Sequence, residues 1–330
     1  MLILTRSDIQ KAVTMDEAIS AARQAFASSS AGRAEIPLRT QIDVAGDRGV
    51  LLYMPGYLKD LQALGVKVVS VFTGNRDIGK ETIQSTVMLQ DTETGESLAL
   101  MDGVYLTALR TGAASGAATQ VLARENARKV TIFGAGQQAR TQLEAVALVR
   151  NVQQVIIYDP NRPAAEAYIR DMQQLLGANV VFQIAADPAE AVSGADIVVA
   201  ATVSKTPVFP GLALQPGVHI NGIGSYNPSM QELDTDTIVR ADKIYVDNMH
   251  AAIEEAGDLI VPLRKGLIQQ DHISGELGEI FNGDKPGREN EQEITLFKTV
   301  GFAALDMIVA QLAYRRALAE GYGTKIELEK

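Results

Sequence analysis

Three separated cations stand in the first third of this 330-residue chain: Arg39, Lys67 and Arg110. An arginine presents a planar fork that can grip a carboxylate through two parallel hydrogen bonds. Lys67 falls inside the apolar run Leu-Gly-Val-Lys-Val-Val-Ser-Val-Phe at residues 64–72. A lysine in such a run is either paired and partly buried, or it sits on an edge strand and points at water. The first case lowers its pKa and suits acid–base work. The spacing alone favours the second, because lysine is seldom buried.

A second constellation begins at residue 130. Residues 130–139 read Val-Thr-Ile-Phe-Gly-Ala-Gly-Gln-Gln-Ala, and Asp159 closes the next apolar run, Val-Ile-Ile-Tyr. The pattern is a strand, a glycine turn, a helix start, a second strand and an acid at its tip. A dinucleotide fits it for physical reasons. Gly134 allows the tight turn, Gly136 lets the backbone approach a pyrophosphate, and Ala139 keeps the helix close to the sheet. Gln137 and Gln138 open the helix, whose unpaired N–H groups and positive dipole end face the anion. Asp159 can accept hydrogen bonds from both hydroxyls of an adenosine ribose and would repel a 2′-phosphate, so NAD(H) is preferred. Arg162 keeps NADP(H) open, since it can stack on adenine or tolerate that phosphate. Thr202 follows the fourth strand of this region and should border adenine or ribose. Gly222, Gly224 and Ser225 follow the next strand, and their small size leaves room for a nicotinamide ring. Without that context they read as turn residues of ordinary loops.

Composition narrows the field. An apolar content of 46% over 330 residues suffices for a sizeable core and suggests two domains. No apolar stretch approaches the ~20 residues that span a bilayer. The first residues, Met-Leu-Ile-Leu-Thr-Arg-Ser-Asp, meet charge too early for a signal peptide. A soluble, cytoplasmic protein with no membrane partner is expected. Cysteine is absent, which removes disulfides, thiolate nucleophiles and zinc–sulfur sites. The three histidines, His219, His250 and His272, form no i, i+4 pair, so no metal site is expected. The net charge of −10 offers no basic face to a nucleic acid.

The elements that must position these residues follow from periodicity and punctuation. Thr14-Met-Asp-Glu17 reads as a capping box ahead of a helix through Phe26. Residues 36–54 alternate like strands around a turn at Gly46-Asp-Arg-Gly49, and residues 64–72 are β-rich. Residues 86–90 and 97–101 form a hairpin around Glu93-Thr-Gly95. Residues 107–119 are dense in small side chains and predict a helix in close contact with a neighbour. From Lys129 the rhythm turns to βαβ. Strands are expected at 129–133, 154–158, 179–183, 196–201, 217–223 and 243–247, and helices at 137–149, 162–176 and 187–193. A last helix runs from about Val300 to Glu320, stopped by Gly321. The fold class is α/β: a Rossmann-type, doubly wound nucleotide-binding domain with an α+β unit before it.

Several ordered motifs resemble one family over nearly the whole chain. They are Arg39 in Pro-Leu-Arg, Met54-Pro55, Gly65-Val-Lys67, Leu100-Met-Asp-Gly103, Thr107-Ala-Leu-Arg-Thr-Gly-Ala-Ala-Ser115, Gly134-Ala-Gly136, His219-Ile-Asn-Gly-Ile-Gly224, and the tail Glu293-Ile-Thr through Gly301-Phe-Ala-Ala-Leu-Asp306. The chain is thereby similar to the ornithine cyclodeaminase/μ-crystallin family, which also holds archaeal-type alanine dehydrogenases and ketimine or pyrroline-2-carboxylate reductases. The resemblance implies a discontinuous substrate-binding and dimerisation domain, residues 1–119 plus 305–330, around a dinucleotide-binding domain at 120–304. It implies a homodimer. It reverses the reading of Lys67, since Arg39, Lys67 and Arg110 fall on substrate-site positions: the arginines would hold an α-carboxylate, and Lys67 would polarise or protonate the reacting nitrogen or oxygen. Arg110 and Thr111, taken as opening a helix, would lie near the pyrophosphate, and Thr86 near the nicotinamide. Asp306 is either a carboxylate favoured by the helix dipole or a proton-handling group of the site.

One departure bears on the reaction. Cyclodeaminases of this family carry an aspartate where this chain has Tyr226, and often a lysine where it has Met230. A phenol, with an unperturbed pKa of ~10, replaces a carboxylate base poorly near neutrality. Asp306 or Glu232 is left to compensate. The preferred reading is an NAD(P)H-dependent oxidoreductase on C–N bonds of small amino or imino acids. A cyclising ammonia-lyase with catalytic NAD, acting on ornithine or lysine, is the alternative. A non-catalytic binding protein comes third, since the full set Arg39, Lys67 and Arg110 argues against it.

Overall fold

A computed structural model describes residues 1–44 and 48–327, so Gly46 and Asp47 of the expected turn lie outside the described residues. The chain divides into two compact units, Met1–Arg110 with Phe302–Lys330, and Thr111–Gly301. The divisions fall at 110/111 and 301/302, where sequence reading expected 119/120 and 304/305.

The chain enters the first unit through β1 (Leu2–Leu4), α1 (Arg6–Ala12) and α2 (Met15–Ser30). Thr14 and Glu17 close the capping box on α2: Thr14 N donates to the Glu17 carboxylate at 3.0 Å, and Glu17 N to Thr14 Oγ1 at 3.3 Å. Then come β2 (Ala34–Glu35), β3 (Thr40–Val44), β4 (Gly49–Leu58), β5 (Ala63–Val71), β6 (Ile83–Gln90) and β7 (Ser97–Asp102). The β6–β7 turn is tied by Asp91, whose Oδ1 accepts from the N–H groups of Glu93 and Thr94. Helix α3 (Gly103–Leu122) follows, begun by Asp102, which accepts from Tyr105 N at 2.8 Å. Arg110 and Thr111 therefore lie in the middle of a 20-residue helix, which corrects the expectation that they open one. The small residues of this helix are in close contact with a neighbour, as their density predicts: a Cβ on Gly112 would stand 2.4 Å from Thr141 O.

The second unit is a parallel sheet with helices in its crossovers. It runs β8 (Lys129–Phe133), α4 (Gln137–Val149), β9 (Gln154–Tyr158), α5 (Arg162–Leu176), β10 (Val181–Ile184), α6 (Pro188–Val192), β11 (Ile197–Ala200) and β12 (His219–Gly222). It continues with α7 (Thr235–Arg240), β13 (Lys243–Val246), α8 (Met249–Glu255), α9 (Gly257–Arg264), β14 (Gly275–Glu276), α10 (Leu277–Phe281) and β15 (Thr295–Lys298). The strand order is β10-β9-β8-β11-β12-β15-β13-β14. The order reverses direction between β8 and β11, which is the switch point where such sheets open a crevice. Apolar clusters from Phe133, Val198, Ile220 and Leu296, and from Val130, Ile132, Leu143 and Tyr168, cover its two faces. Neither β14 nor β15 was expected.

Helix α11 (Ala303–Glu320) and β16 (Thr324–Lys325) return to the first unit. Gly321, with φ +72, ends α11. The sheet there is ordered β16-β1-β7-β6-β5-β4-β2, with β3 on β4, and every pair is antiparallel except β1 with β7. α11 packs against α1, α2 and strands β4 to β6. Phe302 stacks on Phe26 of α2 at 5.7 Å between ring centres.

Candidate active site

In the first unit the site grows from β5. This strand is paired on both sides, to β4 and β6, so Lys67 is not the edge-strand residue that spacing alone suggested. Its cross-strand partners Met54 and Val87 are buried, and it points with them to the face that α11 covers. Lys67 is 1% exposed and Asp306, in the first turn of α11, is fully buried. The Lys67 ammonium donates to Asp306 Oδ2 at 2.7 Å, and Arg110 Nε donates to Oδ1 at 3.0 Å. Asp306 is thus a bridge between two cations rather than a lone carboxylate at a helix end. Burial lowers the Lys67 pKa to about 7, aided by the charges of Arg110 and Arg39 and opposed by Asp306.

Two cations share one buried acid, so the cluster holds an excess positive charge. Arg110 Nη1 is buried and has no hydrogen-bond partner among the described residues. A buried donor without a partner is costly, and an anion supplied from outside would satisfy it. Arg39 stands half-exposed just before β3 and contributes its field. Thr86 pairs with Val68 and lies exposed on the opposite face of the sheet from Lys67.

In the second unit the glycine turn fits a dinucleotide. Gly134 has φ +95, a conformation that only glycine adopts without strain, and a Cβ there would meet Ala201 O at 2.7 Å. Gly136 caps α4 without any side-chain bond, and a Cβ there would meet nothing within 4 Å. The space beside the N-cap of α4 is therefore open, as the close approach of a pyrophosphate requires. Gln137 is exposed and Gln138 half-buried in that first turn. Ala139 is buried, and its carbonyl accepts from Tyr168 OH at 3.1 Å.

Asp159 braces the turn: Oδ2 accepts from Ala135 N and Oδ1 from Asn161 N, both at 2.8 Å. A carboxylate has about four acceptor positions, so it retains capacity for ribose hydroxyls. Arg162 is largely exposed and pairs with Glu166 at 3.3 Å. Arg140, which sequence reading missed, donates to the carbonyls of Ala135 and Gly136 at 2.8 and 3.1 Å and pairs with Asp171. It thereby fixes the carbonyls of the glycine turn. No sequence signal marked it, because an arginine in the first turn of a helix is ordinarily a solvated one.

The turns after β11 and β12 meet on one carboxylate. Glu232, fully buried, accepts from Thr202 N at 2.5 Å, Thr202 Oγ1 at 2.8 Å, Ser225 N at 3.1 Å and Gly224 N. Gly224 is also required by the fold itself: a Cβ there would stand 2.0 Å from Thr202 O. Likewise a Cβ on Gly222 would press on Leu233 at 3.0 Å. Ser225 is buried and donates to Met230 O at 2.9 Å. Tyr226 is half-buried against the core of this unit. Burial pushes the Glu232 carboxyl above its usual range, with Lys298 opposing and Asp258 adding to the rise. His219 is a neutral core residue, its pKa pushed down to about 3 by burial.

The model of the ornithine cyclodeaminase/mu-crystallin family matches residues 1–321. A Delta(1)-pyrroline-2-carboxylate reductase of Bacillus cereus is 45% identical over 327 residues, covering 99% of this chain and 100% of that protein. The structure of Thermococcus litoralis Delta(1)-pyrroline-2-carboxylate reductase in complex with NADH and L-proline has a TM-score of 0.95 at 43% identity, covering 99% of this chain and 100% of that one. An archaeal alanine dehydrogenase dimer with bound NAD has a TM-score of 0.92 at 35% identity, covering 100% of this chain and 99% of that one.

Proposed function

The chain belongs to the ornithine cyclodeaminase/mu-crystallin family, and from that premise we propose that it is an NAD(P)H-dependent reductase of small cyclic imino acids, pyrroline-2-carboxylate first among them. The observation that carries this reading is the excess cation of the Lys67–Asp306–Arg110 cluster together with the unpartnered Arg110 Nη1. Such a group receives a carboxylate. The reductase that is 45% identical and the relative holding L-proline support the same substrate class.

Arg110, with Arg39 adding its charge, grips the substrate carboxylate and fixes the imine carbon next to it. Lys67, ionised at and below about pH 7, gives a proton to the ring nitrogen as the C=N bond becomes CH–NH. Asp306 holds the ammonium of Lys67 in place and keeps its pKa from falling further. When bound, the reduced dinucleotide supplies the hydride that the imine carbon takes up. Gly134, Gly136, Gln137 and Gln138 would cradle its pyrophosphate, and Asp159 its adenosine ribose, which favours NADH. Arg162 leaves NADPH usable. Thr202 would border adenine or ribose and Gly224 and Ser225 the nicotinamide, with Thr86, Arg110 and Thr111 assigned by family position.

Ring-closing deamination fits less well. Glu232, the acid that might have replaced the missing aspartate, is sealed between two turns, and Tyr226 packs against the core. No described helix is long and apolar enough to cross a membrane. We assign the protein to the cytoplasm, where an NADH-consuming enzyme meets its cofactor pool, and to a homodimer, the state named for the archaeal alanine dehydrogenase relative. A spectrophotometric screen of NADH and NADPH oxidation tests the reading. Pyrroline-2-carboxylate should be reduced faster than piperideine-2-carboxylate or pyruvate with ammonia. Absence of turnover with all three would remove the assignment.

A further inference from the structure

The second unit holds a buried charged cluster that the reaction above does not use. Lys298, at the end of β15, and Asp258, in α9, are both fully buried and pair at 3.2 Å. Lys298 also donates to Gly222 O, the last carbonyl of β12, at 3.1 Å. Asp258 Oδ1 accepts from Glu232 N at 2.7 Å and Leu233 N at 3.0 Å. The Glu232 carboxylate in turn takes the N–H groups of Thr202, Gly224 and Ser225. The chain of contacts therefore runs from an ion pair, through one backbone segment, to the two turns that close β11 and β12.

Those turns lie on the far side of the switch point from the glycine turn after β8. A dinucleotide laid across such a crevice has its pyrophosphate on the glycine turn and its nicotinamide half beyond it. Loops are ordinarily the mobile parts of such a scaffold. Here two loops are fastened to each other by a single acid, and its own backbone is fastened to a buried ion pair.

We infer that Glu232, held by Asp258 and Lys298, is a positioning residue for the nicotinamide half of the cofactor. It clamps the Thr202 turn to the Gly224–Ser225 turn and touches no reacting atom. This rests on the cofactor reading above and adds which residues shape the nicotinamide side. Glu232→Gln keeps the size of the side chain but turns one acceptor into a donor that faces backbone N–H groups.

The test compares NADH with ADP, which lacks the nicotinamide riboside, by fluorescence and calorimetric titration of the full-length protein. In Glu232→Gln the Kd for NADH should rise about tenfold or more while that for ADP changes less than about twofold. The KM for imino acid at saturating NADH should stay near that of the parent. Equal weakening of both ligands, or no change in either, would overturn the inference. If Glu232→Gln does not fold, Lys298→Met carries the test, with a smaller but equally NADH-selective loss expected and the same overturning results. A parent protein that binds neither ligand would overturn this inference and the cofactor reading together. One that binds both, followed by unselective loss in the variant, overturns the inference alone.

Discussion

The two units each bury a cluster of charged side chains, and the two clusters are opposite in balance. In the first, Lys67 and Arg110 share Asp306, two cations to one acid. In the second, Lys298 pairs with Asp258 and its charge also acts on Glu232 and Asp247, one cation to three acids. There, backbone N–H groups of three turn residues supply what the Glu232 carboxylate needs, and Asp258 Oδ2 is left facing the Lys298 ammonium at 3.2 Å. The first is left one donor short of partners, at Arg110 Nη1. A buried cluster that closes on the backbone shapes a scaffold, while one left open by a single charge awaits a ligand.

The sharpest break of this comparison is Arg110→Lys. A point charge cannot copy the fork, so kcat/KM for imine reduction should fall about 10²-fold or more in steady-state assays. Unchanged kinetics would take Arg110 out of the site.

Asp306→Asn comes next. Imine reduction needs the protonated form of Lys67, so kcat/KM should fall as pH rises through about 7. Asp306 raises the Lys67 pKa, so its loss should move that falling limb to lower pH. A move of about one pH unit would cost roughly tenfold at neutral pH. A pH–rate profile that keeps its limb in place would show that Lys67 is not the titrating acid.

A smaller effect is expected of Asp159→Ser. It removes the acceptor for ribose hydroxyls and the brace of Ala135 N, so the preference for NADH over NADPH should shrink about five- to tenfold. A parent enzyme that already prefers NADPH would contradict the carboxylate–ribose argument. The least effect is expected of Arg162→Ala. Its side chain is largely exposed and pairs with the half-exposed Glu166, so the unfolding free energy in urea should change by less than about 0.5 kcal/mol. A loss of several times that size would assign Arg162 a structural part that its exposure does not suggest.

Legibility in the sequence divides along the same line. The parallel unit announced itself, because fully buried strands read as short apolar runs and its glycine turn stands between two of them. β8, β9, α4 and α5 lie where periodicity put them. β15 escaped because four residues inside a tail carry little period, and its partner β12 lies 76 residues earlier by the His219–Thr295 pairing. Lys67 was misread by spacing alone for the same reason of distance: the acid that makes its burial tolerable is 239 residues downstream. Only the family resemblance corrected it. Gly224 was noticed, but the close approach of Thr202 O and of Glu232 to it is one that no local pattern connects. Short-range signals report elements, whereas the partner of a buried charge is set by topology.

Asp306 arrives late in synthesis. A ribosome completes every residue of the second unit before it makes the acid that bridges Lys67 and Arg110, and before it makes the helix that covers their side of the sheet. The nascent first unit must wait with an unneutralised lysine beside two arginines, while the second can close as soon as β15 emerges. A chain halted after Gly301 should accordingly yield a protease-resistant core from Thr111 onward and rapid cleavage before it. Uniform resistance would mean that the amino-terminal portion matures without its final helix.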